Sequence, residues 1–116
     1  MFSVLLSGPC DMAELHKDNM EMLVEFKSQS PYENSQDCYL NFTCPTDYPV
    51  IVAVTKFDIE VENICGYDFV SFDGKKKCGN STFEYATTNT TLSIHFHSDF
   101  TRTGLGFNLQ LGCRGL

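Results

Sequence analysis

The chain has 116 residues, 42% hydrophobic and 20% charged, with 15 acidic against 8 basic residues and a formal net charge of −7. That length favours one domain, and the apolar content suits a packed core and not a disordered tail. The acidity excludes nucleic acid and an anionic membrane surface, both of which need clustered Lys and Arg; a cation or a basic protein partner fits it better.

Met1 to Gly8 reads as the stub of a signal peptide without its basic n-region. Residues 1–9 are therefore expected to be a leader remnant or tag, and residues 10–116 a single domain. Met12, Leu15, Met22, Leu23 and Phe26 fit a helical stripe loosely. This spacing predicts a short helix or coil over residues 11–28, ending in an extended piece at Leu23–Phe26. The polar stretch Ser28–Asp37 reads as a loop. From Cys38 onward the signal turns to strands. Cys38–Thr43 alternates, and Val50–Ile59 is rich in β-branched residues behind a turn at Pro45–Pro49. Tyr67–Phe72 is a strand closed by Asp73-Gly74, a hairpin signal. In Thr91–His97 the residues Leu92, Ile94 and Phe96 face one way, His95 and His97 the other. Gly106–Gly112 is the last strand, with Phe107, Leu109 and Leu111 on one face. Short strands without a second clear helix imply an all-β antiparallel sandwich or barrel. No stretch approaches the ~18 apolar residues of a membrane span.

The six cysteines, Cys10, Cys38, Cys44, Cys65, Cys78 and Cys113, are even in number and show no CxxC spacing. Three N-x-[ST] sequons start at Asn41, Asn80 and Asn89. Together they point to the secretory pathway, with disulfides and N-glycans. Cys65 and Cys78 flank the predicted hairpin and could staple its ends; six cysteines otherwise allow many connectivities.

Three segments carry a family likeness: Phe57-Asp-Ile-Glu60; Cys65-Gly-Tyr-Asp68-Phe-Val-Ser-Phe-Asp-Gly followed by Cys78-Gly; and Leu92-Ser-Ile-His-Phe-His-Ser98-Asp99-Phe followed by Gly106-Phe107. In this order and register, residues 38–112 resemble the CUB domain, the sandwich module of complement proteases, tolloid-type proteases and spermadhesins. The resemblance implies a disulfide-bonded CUB-like jelly roll. It implies bonds Cys10–Cys38 and Cys65–Cys78, which leaves Cys44 and Cys113 as a third pair outside the usual pattern. The chain departs from the family in a shorter Cys65–Cys78 hairpin and in Cys38-Tyr-Leu, where a Trp is usual. A loop that carries an orienting tyrosine in the family looks shortened here to Ser30-Pro-Tyr-Glu-Asn-Ser.

In calcium-binding members of the family, the residues matching Glu60, Asp68 and Asp99 converge at one end of the sandwich. The resemblance thus implies a Ca2+ site of these three carboxylates and a backbone carbonyl of the following loop, placed at Thr101. Three clustered carboxylates repel one another, and a hard cation that prefers oxygen ligands offsets that repulsion. The resemblance further implies a secreted, extracellular module for protein recognition, in which a Lys of a basic partner approaches the same carboxylates. The alternative is a structural or glycan-binding CUB domain without calcium, like the spermadhesins, which lack the acidic set. No enzyme is expected: there is no G-x-S-x-G, H-E-x-x-H or Gly-rich phosphate loop. His95, His97 and Asp99 alternate on one strand face and make an imaginable zinc set, but His-x-His on an exposed strand is more often plain surface. His16 stands alone.

Overall fold

The computed structural model describes residues 3–7, 13–17 and 23–115, with side chains from residue 24 onward. Eleven strands occur among the described residues: β1 Ser3–Ser7, β2 Ala13–Lys17, β3 Leu23–Ser28, β4 Asp37–Thr43, β5 Val50–Ile59, β6 Phe69–Phe72, β7 Lys75–Lys77, β8 Gly79–Asn80, β9 Phe83–Ala86, β10 Thr91–His97 and β11 Gly106–Cys113. They build two antiparallel sheets. One has the order β1-β4-β10-β6-β7; the other runs β2-β3-β11-β5-β8, with β9 also paired to β5. No helix of the described residues is long and apolar enough to cross a membrane.

Alternation places the core. In β4 the side chains of Cys38, Leu40 and Phe42 are buried, and in β10 those of Leu92, Ile94 and Phe96. These face Val24 and Phe26 of β3, Val50, Val52 and Val54 of β5, and Phe107, Leu109 and Leu111 of β11 in one cluster. Phe96 packs edge-on to Phe107 with ring centroids 4.9 Å apart, and Phe107 in turn meets Phe26 at 5.4 Å. Aromatic pairs of this kind add to the area they remove from water.

Within residues 11–28, Leu23–Phe26 is extended as expected, as part of β3, but the segment before it differs from the helix or coil that its spacing predicts. Ala13–Lys17 is a strand, paired antiparallel with β3 from Ala13↔Ser28 to Lys17↔Val24. A five-residue helix gains little from a loose stripe, whereas a hairpin partner already docked on β11 satisfies every backbone group along one edge. Ser3–Ser7, in the segment read as a leader remnant or tag, pairs with β4 over the whole of its length.

Two disulfides join described cysteines. Cys44–Cys113 bolts the end of β4 to the end of β11 across a sequence separation of 69, and Cys65–Cys78 closes the β6–β7 hairpin at a separation of 13. In the chain-entropy account, closing the longer loop contributes about 4 kcal/mol. Cys38 is also disulfide-bonded; its expected partner, Cys10, lies outside the described residues. Asn41, Asn80 and Asn89 are all exposed.

Candidate metal centre

The end of the sandwich opposite the Cys44–Cys113 bolt gathers the acidic residues. Glu60 follows β5, Asp68 precedes β6 and Asp99 follows β10, so three strand ends deliver three carboxylates to one place. One oxygen from each lies within 4.8 Å of the others. Asp68 is fully buried. One of its oxygens accepts the Asp99 N–H at 2.8 Å and the other accepts the Tyr32 hydroxyl at 2.6 Å. The same hydroxyl accepts the Glu60 N–H at 3.1 Å. Tyr32 thus ties two of the three acidic residues together.

The loop that carries Tyr32 is held from both sides. Ser98, itself buried, donates its hydroxyl to Glu33 O at 2.7 Å and accepts the Gln36 N–H at 2.8 Å. Ser35 N donates to Asp99 O at 2.6 Å, and Tyr32 N to Gly104 O at 3.3 Å. A Cβ on Gly104 would lie 2.2 Å from Asp58 O, so only glycine lets this loop approach β5 so closely. The Tyr32 ring packs edge-on to Phe96 with centroids 5.3 Å apart.

Thr101 N donates to Asp99 Oδ1 at 3.1 Å. Thr101 lines an open cleft with Glu60, Tyr67, Asp99, Phe100 and Arg102. His95 and His97, weighed above with Asp99, stand instead beside Asp37 on the outer sheet face. The loop whose family counterpart carries an orienting tyrosine does place Tyr32 at the centre, although it looks shortened in the sequence. Asp37 has no assigned role in the sequence; the cue to it is the antiparallel register that sets it opposite His97.

The electrostatics of the acidic centre are strained. Burial first, then the charges of Asp68 and Asp99, pushes the Glu60 carboxyl above its usual range, against a smaller opposing pull from Arg102. Burial also raises Asp68, and the neighbouring Asp99 adds to it, while the bonds from Tyr32 and the Asp99 N–H work the other way. The Tyr32 hydroxyl is raised by burial and by its bond to Asp68, so it stays protonated and donating. Glu60 Oε1 is buried with no hydrogen-bond partner. An orphaned carboxylate oxygen beside two further carboxylates is a donor set that fits a hard divalent cation.

Fold and centre together define the class. Residues 10–111 match the CUB domain family, and the chain belongs to it. CUB domains are non-catalytic interaction modules typical of extracellular proteins. Among curated proteins, the chain is similar to cubilin of Rattus norvegicus, at 27% identity over 76% of this chain and 3% of cubilin. It is also similar to the zinc metalloproteinase nas-39 of Caenorhabditis elegans, at 32% identity over 59% of this chain and 8% of that protein. The chain therefore spans a small fraction of these relatives. Among solved structures, the CUB1-EGF-CUB2 domain of human MASP-1/3 superposes with a TM-score of 0.69 at 18% identity, covering 100% of this chain and 42% of that one. The MASP-1 CUB2 domain solved bound to Ca2+ superposes with a TM-score of 0.68 at 24% identity, covering 78% of this chain and 92% of that one.

Proposed function

We propose that this domain is a secreted, calcium-dependent recognition module, with Glu60, Asp68 and Asp99 holding Ca2+ together with the Thr101 carbonyl. The observation that carries the reading is Glu60 Oε1, buried without a partner and held next to two other carboxylates. Bound there, Ca2+ would supply the positive charge that offsets their mutual repulsion. Tyr32 is the positioning residue: its hydroxyl fixes Asp68 and the Glu60 backbone at once. The ion-bound MASP-1 domain supports the assignment by analogy of fold.

The recognition surface is the cleft beside the centre. Phe100 is 80% exposed and Tyr67 53%, so apolar contact area flanks the carboxylates. With a net charge of −7, the domain suits a basic partner whose Lys ammonium reaches those oxygens. The exposed sequons at Asn41, Asn80 and Asn89 agree with passage through the secretory pathway.

A calcium titration followed by melting temperature and calorimetry, with and without chelator, tests the ion. At 100-fold excess over Kd the folded state should gain about 2.7 kcal/mol. For a domain of this size that is a rise of about 10 °C or somewhat more in Tm. An unchanged Tm in millimolar calcium would return the domain to a structural or glycan-binding role. A Lys-bearing peptide that binds in calcium and dissociates in chelator then tests the recognition step separately.

A further inference from the structure

The outer face of the five-stranded sheet carries a second set of ligand-type side chains, separate from the acidic centre. Asp37 opens β4, and His95 and His97 close β10. The register sets His97 opposite Asp37 on one side and Phe69 on the other, with His95 opposite Tyr39 two residues further along and on the same face. The core takes Leu92, Ile94 and Phe96, so strand alternation turns both imidazoles outward. Asp37 Oδ1 bonds His95 Nε2 and lies 3.5 Å from His97 Nδ1. One ligand atom from each of the three residues lies within 4.8 Å of the others.

We propose that Asp37, His95 and His97 form a Zn2+ site on this face, with the remaining coordination position open to solvent. Two imidazole nitrogens and one carboxylate oxygen are the donors that zinc accepts, and a site of three protein ligands keeps a fourth position free. Tetrahedral coordination at the usual bond lengths needs donor atoms about 3.3 Å apart. The His97–Asp37 separation already matches, and the His95–Asp37 contact has only to open as the metal replaces the shared proton. Calcium would not compete well here, because it prefers an all-oxygen shell.

The rings are held before any ion arrives. His95 is stacked on Tyr39 with centroids 4.1 Å apart and planes 12° apart, and meets the edge of Phe69 at 5.2 Å. His97 stacks on Phe69 at 5.3 Å. Phe69 is only 7% exposed although it lies on the outer face, because the two imidazoles and the Lys76 ammonium cover it. Ligands locked by packing lose little freedom on binding. The ion still has access: side-chain exposure is 24% for His95, 37% for His97 and 46% for Asp37.

Titrating ZnCl2 into the full chain, with millimolar calcium present throughout, tests the site by calorimetry. The expected result is one equivalent of zinc per chain, with a Kd of about 1 µM or tighter. His95→Ala, His97→Ala and Asp37→Asn should each weaken it at least ~100-fold, more than the ~10–100-fold seen on losing a group that merely orients a ligand. Asp99→Ala should leave zinc binding unchanged, which separates this site from the calcium centre. Because His95→Ala also removes a stacking partner, imidazole NMR resonances of the wild-type chain provide a second readout. Zinc should shift those of His95 and His97 and spare that of His16, which belongs to the other sheet. No one-to-one binding would overturn the proposal. So would zinc binding that survives the His95→Ala/His97→Ala double substitution, or that is lost in Asp99→Ala alone.

Discussion

Two clusters of metal-type ligands sit at the same end of this sandwich, and β10 feeds both: His95 and His97 one, Asp99 the other. They are held by opposite means. The acidic centre is built from strand ends and loops, fixed by buried hydrogen bonds through Tyr32, Asp68 and Ser98. The histidine cluster lies on regular strands, fixed by register and by the rings of Tyr39 and Phe69. A site made of loops can be strained, and this one is: its carboxyls are pushed up by burial and by each other. A site on strands is relaxed without its ion, because Asp37 and His95 already satisfy one another. Losing the proposed calcium should therefore unsettle the first, whereas losing zinc should only let the His95–Asp37 contact close again in the second.

The sharpest way to break this contrast is Asp68→Ala. It removes one of the three proposed calcium ligands and leaves the Tyr32 hydroxyl and the Asp99 N–H without their acceptor. The calcium-dependent rise of about 10 °C in Tm should vanish, while the same substitution should leave zinc binding intact. Thermal melts with and without calcium check it. Next in size is Tyr32→Phe, which keeps the ring against Phe96 but deletes the hydroxyl that joins Asp68 to Glu60. As an outer-shell change it should weaken calcium ~10–100-fold in calorimetry.

Acid provides a third comparison. Glu60 and Asp68 have raised folded-state values, so the folded metal-free protein holds more protons there than the unfolded chain. Their contribution thus disfavours folding at neutral pH. It becomes less unfavourable as pH falls through the raised values toward the usual carboxylate range. Asp37 is lowered and behaves in reverse: its stabilisation is present above its unfolded value and is lost in stronger acid. Chelated protein should therefore gain from mild acidification what calcium-loaded protein loses, since protons compete with the ion; Tm against pH in the two conditions should converge. The smallest effect expected is none at all: His95→Ala should leave the calcium-dependent Tm shift unchanged.

The same contrast explains what was legible in the sequence. Strands β4, β5, β10 and β11 declare themselves through alternation or β-branched runs, because each buries one face against a common core. Glu60, Asp68 and Asp99 are found because each follows or precedes such a strand in a family register. Tyr32 is only half legible: the family places an orienting tyrosine in this loop, but the loop looks shortened, and its partner Asp68 lies 36 residues away, so only folding brings the two together. Strand β2 is misread because Ala-Glu-Leu-His-Lys favours helix locally, and its pairing with β3 is a tertiary choice. Strand β9 escapes notice although Phe83 and Tyr85 alternate, as the sequons on either side give the stretch a polar character. The zinc cluster is half visible: His-x-His is plain, but Asp37 joins it only across the β4–β10 ladder.

The two described disulfides also govern what a protease would leave behind. Lys75–Lys77 forms an exposed strand, β7, and lies inside both the Cys65–Cys78 loop and the Cys44–Cys113 loop. A tryptic nick after any of these lysines severs the backbone yet releases nothing. The halves should run as one band on a non-reducing gel and separate only after reduction. The acidic centre, with Glu60 on one fragment and Asp99 on the other, would then be a site shared by two chains held together through sulfur.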